Sequence, residues 1–217
     1  MKLIDELRAE HDIIDPMAGA LRTYVARRVR GQADAADAPR FLAFFRLYAD
    51  AFHHAREEGV LLPALARDLD VPSETGPIAA VLGDHVRMRA TFAQLAALLG
   101  SELDAASGAR LEQLATEYTR ALWLHIDSEN SVLFLESEHR LPRAGTHELP
   151  TRAPTDAEAA ARDDATALLL RYPPLVDDGI IRGEGCPICP NFGVHCDGVE
   201  RAWWNENEWD EFPDRVG

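Results

Sequence analysis

Twice in this chain an imidazole and a carboxylate stand four residues apart on a helical face that is otherwise apolar: His54 with Glu58, and His125 with Glu129. At about 3.6 residues per turn, the members of each pair point the same way one turn apart. The first pair lies in FHHAREEGVLLPAL, residues 52–65, with Leu47, Leu61 and Leu65 along its face. The second is flanked by Leu122, Val132 and Leu133. Burying such groups is costly unless they hold something in common. A fold that satisfies them must bring several helices of this kind together.

Hydrophobic periodicity supplies those helices. The first pattern runs from about Leu3 to Val29, with Ile4, Leu7, Ile14 and Leu21 on one side and a kink expected at Pro16. The second follows Asp37, takes Pro39 in its first turn and continues to about Leu69. The third spans roughly Pro77 to Leu99, and the fourth runs from near Ser107 to before Pro142. The breaks between them (GQADAAD, VPSETG, GSELDAASG) are short, and strand alternation is absent. The expectation is an all-α fold, an up-down-up-down four-helix bundle over residues 1–141. A linker at 142–154 follows, and 155–217 form an extra helix and a small irregular element rich in Cys and Trp. Thr155 and Glu158 make a capping-box pattern ahead of the extra helix, which reaches about Tyr172.

Each bundle helix offers a histidine: His11, His54, His85 and His125. Four inward imidazoles and the two inward carboxylates, Glu58 and Glu129, suit a dinuclear metal site with the carboxylates bridging. Mixed nitrogen and oxygen ligation favours iron or manganese over a structural zinc.

The ordered motifs EHDIID, HHAREEGVLLPAL, DHVRMR and HIDSENSVLF resemble the hemerythrin-like, or HHE cation-binding, family over about residues 1–140. The resemblance implies a hemerythrin-like bundle around a non-haem di-iron centre (Fe–O–Fe, or a mixed Fe/Mn pair). Such centres bind oxygen or, in some members, sense iron or handle nitric oxide. It implies ligand roles for His11, His54, Glu58, His85, His125 and Glu129, with Glu58 and Glu129 as bridges. One departure stands out. Oxygen-carrying members place two histidines a turn apart on the third helix, whereas the positions four residues either side of His85 are Val81 and Arg89. Open coordination positions turn the expectation from reversible carriage towards reaction with oxygen, peroxide or nitric oxide. Asp15, Asp50 and Glu57 are candidate substitutes, with Asp50 and Glu57 read as supporting or solvated carboxylates. His53, about 100° off the chosen face, is read as a neighbour. Tyr118 and Phe92, two turns from His125 and His85, are read as core packing or as the wall of an oxygen pocket.

Near the C-terminus, CPICPNFGVHC presents Cys186, Cys189, His195 and Cys196. Three thiolates and one imidazole would complete a tetrahedral zinc site. The competing expectation is a redox centre: thiolate-bound iron, an iron–sulfur unit or a dithiol passing electrons to the bundle. That arrangement resembles rubrerythrin-type proteins, although those need four Cys. Trp203, Trp204 and Trp209 follow, as a clamp onto the bundle or a partner-binding tail.

Bulk properties limit the function classes. With 37 acidic against 22 basic side chains and a formal charge of −15, the chain is unsuited to nucleic-acid phosphates or anionic lipid. No apolar run of about 18 residues suggests a membrane span, and the charged N-terminus does not read as a signal peptide. The expected location is the cytoplasm. Two functions remain. One is a di-iron oxidoreductase acting on a small diatomic ligand or peroxide, with an electron donor. The other is an iron or oxygen sensor that binds a partner protein, its tail stapled by zinc.

Overall fold

In the computed structural model the described residues are 1–177, 179–180, 203–204 and 208–210. They are helical, with no strand among them. Helix α1 covers Lys2–Val29 and continues through Pro16. Helix α2 is a composite rod over residues 38–68. It is α-helical at Ala38–Ala43, π-wound at Phe44–His54 and Glu57–Leu61, and α-helical again at Leu62–Asp68. Helix α3 covers Gly76–Leu99. Helix α4 is composite over residues 105–140, with a π-wound turn at Glu129–Leu133 between Ala105–Ser128 and Phe134–Arg140. Helix α5 covers Asp156–Arg171.

Local chemistry accounts for the starts of these helices. Pro39 and Pro77 occupy first-turn positions of α2 and α3, where a missing N–H costs nothing. A capping box opens α4: the Ser107 N–H donates to Asp104 Oδ1 at 2.8 Å, and the Asp104 N–H donates to Ser107 Oγ at 2.8 Å. The box expected at α5 is present, the Glu158 N–H donating to Thr155 Oγ1 at 3.3 Å and the Thr155 N–H to Glu158 Oε2 at 2.7 Å.

Apolar side chains collect into two cores at opposite ends of the bundle. One takes Leu3, Leu7, Leu61, Leu65, Ile78, Val81, Val132 and Phe134. The other takes Ile14, Leu21, Phe45, Phe52, Met88, Leu95, Leu114 and Leu122. Each helix therefore passes from one core to the other, in alternating order along the chain, which is the up-down-up-down topology. Each fully buried Leu, Ile or Phe contributes roughly 1.5–3 kcal/mol. Between the cores all four helices place polar side chains: His11 on α1, His53, His54 and Glu57 on α2, His85 on α3, His125 and Glu129 on α4.

Helix α5 packs against α1 and the π-wound part of α2. The strand of chain after it crosses α1 at Gly19, where the Leu175 N–H donates to the Gly19 carbonyl at 3.1 Å. A Cβ at Gly19 would stand 2.6 Å from the Leu175 oxygen, so only glycine permits that crossing. Trp203 and Trp209 are buried in the first core, and Asp210 accepts from Arg140 at 2.7 Å.

Candidate metal centre

Five imidazoles meet in the polar layer, and each has its Nδ1 atom engaged from outside. His11 Nδ1 lies 3.0 Å from Asn130 Oδ1, and His53 Nδ1 lies 2.9 Å from Glu10 Oε2. His85 Nδ1 lies 2.7 Å from Glu58 Oε1. His54 Nδ1 and His125 Nδ1 stand 3.4 Å from Asp50 and Asp84 carboxylate oxygens. A carboxylate or amide oxygen can only accept, so these contacts put a proton on Nδ1, and Nε2 then holds the lone pair of each ring in its neutral form. The outer carboxylates are themselves held. Arg56 bonds Glu10, and Arg89 reaches Asp50 and Glu58 at 2.7 Å. Fixing an imidazole from behind is how metal-binding histidines are oriented and made more basic.

The Nε2 atoms converge. His11 and His53 approach to 3.0 Å between Nε2 atoms, and His85 and His125 to 3.1 Å. At that distance the two nitrogens of each pair must share a proton or a cation. Glu57 and Glu129, both 0% exposed, bring four carboxylate oxygens that have no hydrogen-bond partner among the described residues, and His54 Nε2 is likewise unmatched. Buried carboxylate oxygens left so are expensive, and a metal ion satisfies all of them together. The donor set therefore fits a metal.

Two groups of potential ligands emerge, each with its ligand atoms within 4.8 Å of one another: His54, Glu57, His85 and His125, and His11, His53, Glu57 and Glu129. Glu57 belongs to both. Glu129 reaches across as well, its Oε2 standing 3.3 Å from Nε2 of His11 and of His125.

The structure thus brings together His11, His54, His85, His125 and Glu129 as the sequence suggested, and corrects three expectations about α2. Glu58 stays outside both groups, 28% exposed, behind His85. Glu57 is the inward carboxylate, and His53 is an inward imidazole. The physical reason is the π-wound stretch Phe44–His54. A phase carried from Leu47 at α-helical pitch arrives wrong after the seven residues of i→i+5 winding that lead to His54. The four-residue spacing was sound but belongs to His53 and Glu57, whose Nε2 and Oε1 stand 3.4 Å apart. The fifth imidazole missing from α3 comes instead from the adjacent pair on α2, with His54 stacked on His85 at 4.0 Å between centroids. Asp50, read from the sequence as supporting or solvated, stands with its Oδ1 3.4 Å from His54 Nδ1. Asp15 lies in neither group.

Electrostatics follow from burial and from this packing. Burial lowers His11, His53 and His54, the latter two well below the usual imidazole range. Burial also works against the His85 cation, but Glu57 and Glu58 outweigh it and bring His85 up to about 9. Burial together with the Glu57 charge pushes Glu129 well above a normal carboxyl, while burial of Glu57 is overcome by His53, His85 and His54, which hold it well below. A positive charge is wanted here. Cys186, Cys189, His195 and Cys196 lie outside the described residues. No helix of the described residues is long and apolar enough to cross a membrane.

Comparison with family models matches the hemerythrin HHE cation binding domain over residues 2–136, the span that holds all seven inward side chains. Comparison with curated proteins and with solved structures gives no match.

Proposed function

Because this chain belongs to the hemerythrin HHE cation-binding family, we propose that its metal-binding bundle houses a non-haem di-iron centre that binds or reacts with oxygen, peroxide or nitric oxide. His54, His85 and His125 would hold one iron and His11 and His53 the other, with Glu57 and Glu129 offering carboxylate oxygens to both. The observation that carries this is Glu57, which belongs to both ligand groups while neither of its oxygens has a hydrogen-bond partner among the described residues. Iron so bound supplies redox chemistry towards small oxidants. The protein's own part is positioning. Glu10 and Arg56 fix the His53 ring, Glu58 and Arg89 fix the His85 ring, and Asn130 fixes His11. Phe134, stacked 5.5 Å from His11, helps to keep water out. An oxidoreductase built this way takes electrons from a separate donor.

A second reading, sensing, is favoured by one contact: Trp203, buried at 1% exposure, sits edge-on 6.4 Å from His125. Metal occupancy or oxidation then reaches the C-terminal tail through that ring and reports to a partner protein. The test is anaerobic loading with ferrous iron followed by exposure to oxygen. Saturation at two irons per chain with repeated oxygen consumption in the presence of reductant supports the oxidoreductase. Saturation at two with a single oxidation event and a change in tryptophan fluorescence supports the sensor. Failure to take up a second iron contradicts the dinuclear centre.

A further inference from the structure

A cavity of about 270 Å³ opens between α2, α3 and α4 beside the metal layer. Its walls are Phe45, Met88, Phe92 and Tyr118; its inner end is the ring of His54, and Arg46, Asp50 and Arg89 stand at its edge. The π-winding of α2 builds this wall. Phe45 and His54 are nine residues apart, which is two and a half turns of an α-helix and would set them on opposite sides. With i→i+5 bonding each turn takes in nearly one more residue, so nine residues close about two turns and both face the cavity. At roughly 30 Å³ for a water-sized group, the space holds about nine such groups. That exceeds anything a diatomic ligand needs.

The polar features are few and convergent. Tyr118 is 4% exposed and packs its ring on Phe45 and Phe92, which have no polar atoms to offer. The Asp50 charge is met by Arg89 at 2.7 Å, so it does not repel an anion. Arg46 is exposed, its guanidinium 6.0 Å from the Phe92 ring, with no carboxylate on it among the described residues. An apolar chamber with a free guanidinium at its edge matches an amphipathic anion.

We propose that this cavity binds a small monocarboxylate with an apolar body of about eight carbons, its carboxylate on Arg46 and its body among Phe45, Met88, Phe92 and Tyr118 against His54. The ligand is a compact organic acid, placed so that it touches the back of a side chain assigned to the metal. Binding itself does not depend on the proposed iron; only its effect on the centre's spectrum rests on that proposal.

Octanoate titrated into the full-length protein by calorimetry, with and without loaded iron, is the test, with octan-1-ol as the neutral comparison. The expected result is one saturable site in both preparations, weakened about tenfold for octan-1-ol and about tenfold by Arg46→Ala. Ala93→Trp, at the exposed edge of the cavity, should block it without touching the core. Absence of a saturable site, or binding unmoved by both substitutions, overturns the proposal. Binding to the iron-free protein that fails to alter the iron-loaded spectrum would count against the contact with His54. Failure of iron loading alone leaves the calorimetric result to stand.

Discussion

Glu57 and Glu58 address opposite nitrogens of one imidazole: Glu57 Oε2 stands 3.5 Å from His85 Nε2, and Glu58 Oε1 stands 2.7 Å from His85 Nδ1. Neighbours in sequence thus take different duties. The buried one faces the metal layer, and the half-buried one, tied to Arg89 at 2.7 Å, fixes the ring from behind. The same division recurs at His53, with Glu57 at Nε2 and Glu10 at Nδ1.

Removing Glu10 should damage both stability and metal affinity. Arg56 is 3% exposed and, once Glu10 is gone, keeps Glu6 at 2.8 Å as its carboxylate among the described residues, beside the Phe52 ring 4.1 Å away. Glu10→Ala is expected to cost about 1–3 kcal/mol, with about 2–4 °C lost in Tm for each kcal/mol. Because His53 loses its orienting carboxylate, metal affinity should fall about 10–100-fold. Melting of the metal-free variant and a competition titration with a chelator separate the two effects.

The tail should come away from the bundle in Gly76→Ala. Gly76 has φ +67°, a conformation costing other residues about 1–2 kcal/mol. An added Cβ would stand 2.6 Å from the Trp204 indole, which cannot yield without moving the chain around it. The expected outcome is a red-shifted tryptophan emission with the bundle's helical signal retained.

Acid should loosen α5 through Glu158. Its carboxyl is held down to about 2, chiefly by Arg152, which grips it with two bonds of 2.7 and 2.8 Å. The folded value lies below the ordinary 4.5, so folding favours the ionised form. The resulting stability is complete above that ordinary value and is lost as pH falls through it towards 2. Glu158→Gln should lower stability at neutral pH and flatten the loss between pH 5 and pH 2 in denaturant melts, a window of about three units.

How far the sequence spoke for itself depended on helical pitch. The four rods and the α5 cap were legible because periodicity and capping are local. His125 and Glu129 keep the spacing read from the sequence, since the stretch joining them is α-helical up to Ser128. Glu58 was favoured over Glu57, and His53 set aside, because nothing in the composition of Phe44–His54 announces π-winding. The outer partners were harder still. Asp84 sits beside His85 in sequence but serves His125, and Asn130 serves His11 from another helix. Such pairings depend on how helices face one another, which no single-helix pattern reveals.

The most direct measurement is iron content per chain, by elemental mass spectrometry, for Glu57→Gln and Glu58→Gln loaded alongside the unaltered protein. If Glu57 spans the two ions and Glu58 only orients His85, the unaltered protein holds two irons and Glu57→Gln holds one or none. Glu58→Gln then still fills to two at saturating iron, with affinity weakened about 10–100-fold. Two irons retained in Glu57→Gln, with loss in Glu58→Gln, would contradict the arrangement.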